Sequence, residues 1–89
     1  MNSTSADISI RWDRKAIKEL KKVPHQDQKK ITDSVEALRI DPLKGKVMSA
    51  DWKGFRRLRI GDYRVIYAFD GVELLISVFR VGHRREVYR

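Results

Sequence analysis

A chain of 89 residues with no cysteine and with 20 Lys and Arg against 12 Asp and Glu is short and strongly basic. It cannot form disulfides, use a thiolate nucleophile or bind a metal through sulfur. At this length folding buries only roughly 60% of the unfolded chain's surface, so we expect one domain, residues 1–89, with a modest core.

The remaining composition argues against a metal site and a membrane protein. The two histidines, His25 and His83, lie far apart and have no metal-ligand spacing around them. No apolar run reaches membrane length, and residues 1–5 lack the basic and apolar regions of a signal peptide. We therefore predict no metal site and no membrane association, and we expect a cytoplasmic protein.

The positive charge is concentrated in the second half of the chain. Residues 44–89 hold eleven Lys and Arg against five Asp and Glu, whereas residues 1–43 hold nine against seven. Lysine leads in the first half and arginine in the second. Because the planar guanidinium matches phosphate oxygens and stacks on bases, this shift favours a nucleic-acid partner over a role in solubility alone. Charge by itself leaves an acidic protein partner equally open.

The first half predicts one strand and two helices. Residues 7–12 alternate apolar and polar side chains, which is typical of a strand, and Asp13 is a plausible helix N-cap. A lysine-rich first helix then follows over residues 14–22, and Pro24 either ends it or opens the next helix. Residues 25–39 place apolar side chains at helical spacing and predict a second helix.

The second half predicts a loop followed by β-structure. Residues 41–46 break the second helix and start the loop, and Gly61 and Gly71 mark two later turns. Three strands are predicted, at residues 55–60, 63–69 and 72–80. The order is β-α-α-β-β-β, an α+β fold in which two N-terminal helices pack on one face of a small antiparallel sheet.

Arginines alternate with apolar residues in the first of these three strands. Phe55, Arg57 and Arg59 would share one face of the strand, and Arg56 would lie on the other face with Leu58. A dense guanidinium patch repels itself, and a partner with several phosphates would relieve the repulsion.

Two segments carry a resemblance to a known family. The run Arg57-Leu58-Arg59-Ile60-Gly61-Asp62-Tyr63-Arg64-Val65-Ile66-Tyr67 and the ending Val81-Gly82-His83-Arg84-Arg85-Glu86-Val87-Tyr88, in the element order given above, resemble the RelE/ParE toxin superfamily. The ending is most similar to the RelE branch. The likeness spans nearly the whole chain and is most specific in its last third.

The resemblance implies the toxin of a type II toxin–antitoxin system. A toxin of the RelE branch would enter the ribosomal A site and cut messenger RNA by attack of a ribose 2′-hydroxyl on the adjacent phosphate, without a metal or other cofactor. Its partners would be the ribosome, messenger RNA and a cognate RelB-like antitoxin protein. The alternatives are a ParE-like inhibitor of DNA gyrase and a catalytically inactive relative that binds RNA or the ribosome.

The family pattern also implies site residues. Matching residues occur at four positions expected to be catalytic: Arg57, Arg64, Arg84 and Tyr88. Arginines suit charge stabilisation at the phosphate, and Tyr88 would act on the nucleophile as base or by orienting it. A family lysine two residues before Arg57 is replaced here by Phe55.

A second group of side chains is expected to bind RNA or the ribosome. Its members are Lys53, Arg56, Arg59, His83, Arg85 and Arg89. Neighbours on an extended segment point to opposite faces, so His83 is not expected to share a face with Arg84.

Overall fold

The computed structural model of the chain describes residues 7–83, which form two helices and a five-stranded sheet. The helices are α1 (Arg14–Lys21) and α2 (His25–Ala37). The strands are β1 (Ser9–Trp12), β2 (Lys46–Val47), β3 (Arg56–Ile60), β4 (Tyr63–Asp70) and β5 (Leu75–His83). A short 3₁₀ turn, Ala50–Trp52, lies between β2 and β3.

The strand order across the sheet is β1-β5-β4-β3-β2. The predicted α+β class and the order of the main elements are confirmed, but the sheet is mixed. Strand β1 runs parallel to β5, with Ser9 opposite Leu75 and Trp12 opposite Val78, while the other pairs are antiparallel. Alternation along a strand reports which faces are buried and carries no information on the direction of the neighbour, so this pairing was not predictable from the pattern.

The main core lies between the two helices and one face of the sheet. Strands β3, β4 and β5 contribute Leu58, Val65 and Val81, and α2 contributes Ile31 and Val35. All five side chains are at least nine-tenths buried. Helix α1 packs on β5 and α2 on β3, so both helices cover this same face.

The last strand begins later than the sequence pattern predicts. Val72 is 90% exposed and lies in the turn between β4 and β5, not in the strand. The side chain of Asp70 accepts hydrogen bonds from the backbone N–H groups of Val72 and Glu73, and Leu74 adopts a φ of 54°. This Asp-centred turn competes with strand pairing and delays β5 until Leu75.

An ion pair fastens α1 to the sheet. The Glu19 carboxylate lies 3.0 Å from Arg80 Nε and 2.9 Å from Arg80 Nη2, and it also accepts a hydrogen bond from the Val81 backbone N–H at 2.9 Å. The helix therefore satisfies a backbone donor of β5 in addition to packing on the strand.

Neither helix is long and apolar enough to cross a membrane.

Candidate functional site

The strand register places four cationic side chains on the sheet face opposite the helices. Lys46 is paired with Arg57 across β2 and β3, and Arg59 is paired with Arg64 across β3 and β4. Directly paired residues project to the same face, and Leu58, between the two arginines of β3, is buried on the other. The structure thus confirms the predicted separation of faces in β3.

These four side chains and Lys44 line one cleft of about 250 Å³, which we call the cationic cleft. The two other lining residues, Gly45 and Leu58, carry no charge, so no carboxylate lines the cleft among residues 7–83. Five like charges around one space repel one another, and an anion entering the cleft would relieve that repulsion. The arrangement is suited to a phosphate group.

A buried tyrosine holds the loop that brings two of these cations. The hydroxyl of Tyr67 donates a hydrogen bond to the Pro42 carbonyl at 2.8 Å and accepts one from the Gly45 N–H at 2.8 Å. Burial raises the pKa of Tyr67 above its ordinary value of 10.0, against the lowering effects of the Gly45 hydrogen bond and the Arg56 charge. The neutral hydroxyl therefore fixes the backbone on either side of Lys44.

The Arg56 side chain belongs to this loop and not to the cationic cleft. Its guanidinium donates to the Leu43 carbonyl at 3.1 Å and to the Gly45 carbonyl at 2.8 Å. Arg56 is paired with Tyr67 and lies on the helix side of β3. These contacts give Arg56 a structural role beside the RNA-binding role expected from the sequence.

His83 is also turned away from the cationic cleft. It is paired with Tyr63 at the end of β5, and the two rings meet edge to face with centroids 5.9 Å apart. Tyr63 packs against the main core, so His83 lies on the helix side of the sheet. The expectation that His83 binds RNA or the ribosome stays a prediction.

Phe55, where the family pattern has a lysine, takes part in an aromatic cluster. Its ring lies 5.5 Å from that of Trp52 and 5.0 Å from that of Phe79, both in edge-to-face geometry. Trp52 and Arg57 line a second cleft of about 390 Å³ together with Val47, Met48 and Ser49. Lys53 is exposed next to this cluster and lines neither of these two clefts.

Four expected site residues lie outside the described residues: Arg84, Arg85, Tyr88 and Arg89. Of the other expected residues, the structure brings Arg57, Arg59 and Arg64 to one cleft. Sequence reasoning missed Lys44 and Lys46, although two lysines flanking a glycine in a loop after Pro42 were an available signal. Within residues 7–83, no group of three His, Asp or Glu side chains is placed to hold a metal ion.

Comparison with solved structures defines the class of protein to which this fold belongs. The toxin–antitoxin complex RelBE2 from Mycobacterium tuberculosis contains a chain with 26% identity and a TM-score of 0.82, over 90% of this chain and 94% of that chain. A chain of the archaeal RelE–RelB complex from Pyrococcus horikoshii has 22% identity and a TM-score of 0.74, over 91% of this chain and 99% of that chain. A chain of the chromosomal ParDE system of P. aeruginosa has 19% identity and a TM-score of 0.69, over 86% of this chain and 96% of that chain. The fold is that of the RelE/ParE toxins.

The family model of the ParE toxin of type II toxin–antitoxin systems, parDE, matches residues 10–88. The chain therefore belongs to this family of toxins, and the superfamily inferred from the arginine strand and the C-terminal motif is confirmed. Comparison with curated protein sequences gives no significant match.

Proposed function

We propose that this toxin is a ribosome-dependent endoribonuclease that cleaves messenger RNA in the A site. The observation that carries the proposal is the cationic cleft, which three arginines and two lysines line together. The similarity of the chain's ending to the RelE branch supports messenger RNA as the source of the phosphate.

The proposed reaction transfers the scissile phosphorus from one oxygen to another within the RNA. The ribose 2′-oxygen bonds to phosphorus, the bond to the 5′-oxygen of the next nucleotide breaks, and the products are a cyclic phosphate and a 5′-hydroxyl. Negative charge on the non-bridging oxygens is greatest in the transition state, so fixed cations there lower the barrier. We assign this stabilisation to Arg57 and Arg64, whose side chains line the same cleft.

Two further roles are assigned from the family pattern. Arg84 would hold the scissile phosphate, and Tyr88 would accept or orient the proton of the 2′-hydroxyl. A phenol with a pKa of about 10 is almost entirely protonated at neutral pH, and only its phenolate can accept a proton. Arginines of the site would favour that phenolate. The expected RNA or ribosome contacts are Lys53, Arg56, Arg59, His83, Arg85 and Arg89. Lys44 and Lys46 join this group because they line the cleft with Arg59.

The protein partner we propose is an antitoxin with an acidic segment that covers the cationic cleft. RelBE2 and the archaeal RelE–RelB structure are both toxin–antitoxin complexes. An acidic segment would neutralise the clustered charges in the same way as RNA and so compete with it. The proposed site of action is the cytoplasm, where ribosomes translate.

Expression in a bacterial host with mapping of messenger 5′ ends tests the nuclease. Wild-type protein should arrest growth and produce new 5′ ends inside translated codons, and Arg57→Gln combined with Arg64→Gln should abolish both effects. Lys29→Gln is the matched control, because Lys29 is exposed on α2 and pairs with Asp33. Growth arrest with intact messages would contradict the proposal.

The second candidate function is inhibition of DNA gyrase. The ParE family model matches residues 10–88, and Phe55 replaces a lysine of the RelE pattern. Purified toxin should then block supercoiling by gyrase without new messenger 5′ ends. If neither activity is found but the toxin still binds ribosomes, the inactive RNA-binding relative is the remaining alternative.

A further inference from the structure

We infer that Trp52 is a stacking platform for one nucleobase beside the phosphate held in the cationic cleft. The inference rests on the RNA substrate of the proposed function and adds a base-binding subsite to it. It starts from Arg57, which lines both the cationic cleft and the second cleft that contains Trp52. In a nucleotide, the ribose separates an anionic phosphate from an aromatic base. The cationic cleft would bind the phosphate, and the second cleft, which shares Arg57 with it, would bind the base.

The ring geometry leaves the indole able to stack. Trp52 meets Phe55 at an interplanar angle of 83°, and such an edge-to-face contact covers at most one face of the indole. Trp52 is half-buried and lines the cleft, whereas Phe55 is held between Trp52 and Phe79. The replacement of the family lysine by Phe55 thus provides a support for the tryptophan in place of a phosphate contact.

The backbone around Trp52 is held in place by hydrogen bonds on both sides. Its N–H donates to the Ser49 carbonyl at 3.1 Å, and its carbonyl accepts from the Phe55 N–H at 3.0 Å. Ala50 adopts a φ of 55°, a left-handed conformation that is uncommon for alanine, to make this turn. A fixed aromatic side chain loses little conformational freedom on binding, which favours its use as a platform.

The size and lining of the second cleft fit a base better than a peptide side chain of either charge. Its volume of about 390 Å³ is within the ~300–1,000 Å³ range of small-molecule sites. Apart from Arg57, its lining residues are uncharged: Val47, Met48, Ser49 and Trp52. Stacking on an aromatic ring tolerates every base, because each base has a π-face.

Fluorescence of a single tryptophan tests the inference directly. In a Trp12→Phe background Trp52 is the only tryptophan of the chain. The probe is a five-nucleotide single-stranded oligonucleotide with 2′-deoxy sugars, which 2′-hydroxyl attack cannot cleave, together with versions that are abasic at one position. We expect binding to quench Trp52, and we expect one abasic position to weaken binding roughly tenfold.

Two substitutions, made in the chain with Trp12 intact and measured by anisotropy of a labelled oligonucleotide, separate stacking from packing. Trp52→Phe keeps a π-face and should keep most of the affinity, whereas Trp52→Leu keeps apolar contact with Phe55 but should lose roughly tenfold and become indifferent to the abasic position. Thermal unfolding checks that both variants fold. Equal affinity of the two variants for the intact oligonucleotide would overturn the inference.

Cleavage on programmed ribosomes, measured separately with the wild-type protein, distinguishes the two proposals. If the wild-type protein cleaves messenger RNA but Trp52→Phe and Trp52→Leu bind the oligonucleotide with equal affinity, the stacking subsite is refuted and the nuclease is retained. A stacking signature without cleavage supports the subsite and removes the nuclease. Failure of the wild-type protein to bind the oligonucleotide, together with absence of cleavage, removes both.

Discussion

The backbone N–H of Gly45 and the hydroxyl of Tyr67 are 2.8 Å apart, and through this hydrogen bond a residue of the central sheet holds the loop that supplies two cleft lysines. Tyr67 is fully buried, and its hydroxyl also donates to Pro42. The positions of Lys44 and Lys46 therefore depend on the Tyr67 hydroxyl, which binds the loop backbone at Pro42 and Gly45. Stability and phosphate binding should be coupled at this point.

Removal of the hydroxyl should destabilise the protein. Tyr67→Phe keeps the ring but leaves the Gly45 N–H and the Pro42 carbonyl without their partner. Unmade hydrogen bonds of buried groups cost about 1–3 kcal/mol, so the free energy of unfolding should fall by that amount. Urea unfolding followed by circular dichroism measures it. Tyr63→Phe is the matched control, because the hydrogen bonds that hold the loop at Gly45 and Pro42 come from Tyr67, whereas the Tyr63 ring packs against His83. Equal losses in the two variants would contradict the assigned role.

The raised pKa of Tyr67 predicts a loss of stability in alkaline solution. Burial favours the neutral phenol in the folded state, so the folded pKa lies above the ordinary value of 10.0. Between those two values the unfolded chain releases a proton that the folded chain retains, and the stabilisation, complete below about pH 10, is lost as the pH rises. Unfolding free energies measured from pH 8 to 11 should decline less steeply in Tyr67→Phe than in the wild type. Identical slopes would show that Tyr67 does not contribute.

Gly45 has no room for a side chain. A Cβ atom at this position would lie 2.7 Å from Tyr67 Cε1 and 2.8 Å from both the Tyr67 hydroxyl and the Arg57 carbonyl oxygen. Gly45→Ala should therefore displace the loop and lower stability by about 1–3 kcal/mol, as overpacking does. At Gly71 a Cβ would meet Phe69 at 3.5 Å, an ordinary contact, so Gly71→Ala should change stability little. Thermal unfolding compares the two variants, and a neutral Gly45→Ala would argue against the tight loop.

The cationic cleft predicts a salt-dependent affinity for single-stranded nucleic acid. Each cation that neutralises a phosphate contributes about −0.7 to the slope of log K against log salt concentration. Arg57→Gln and Arg64→Gln should each reduce the slope by about that amount, since both arginines line the cleft. Titrations of an oligonucleotide at several salt concentrations measure the slope. Lys29→Gln on α2 should leave it unchanged, and the same slope in all variants would exclude the cleft as the binding site.

Short-range patterns were enough to predict the two faces of β3. Alternation assigned Arg57 and Arg59 to one face and Leu58 to the other, and the structure confirms this because the side-chain period of a strand is two. The same logic could not reveal Lys46 as the neighbour of Arg57. That pairing joins residues on either side of the 3₁₀ turn through a strand of only two residues, Lys46–Val47, which is too short to show an alternating pattern.

Contacts made by polar groups were the other part that the pattern could not show. The sequence pattern predicts only that Tyr67 lies in a strand, whereas in the structure its hydroxyl forms hydrogen bonds with the loop at Pro42 and Gly45. Arg56, expected from the sequence to contact RNA, also donates to two loop carbonyls. Both assignments depend on where a distant backbone group lies, which hydropathy and charge along the chain do not encode.

The ion pair between Glu19 and Arg80 should contribute far more stability than the pairs on the helix surface. Side-chain exposure is 22% for Glu19 and 13% for Arg80, against 65% for Asp33 and 78% for Lys29 in the exposed pair of α2. Partial burial weakens screening by water, and the Glu19 carboxylate also accepts the Val81 N–H. Glu19→Gln should therefore lower the unfolding free energy by about 1.5–3 kcal/mol, whereas Asp33→Asn should change it by at most about 0.5 kcal/mol. Urea unfolding of both variants in the same buffer measures the difference, and equal effects would show that α1 is held to β5 by apolar packing alone.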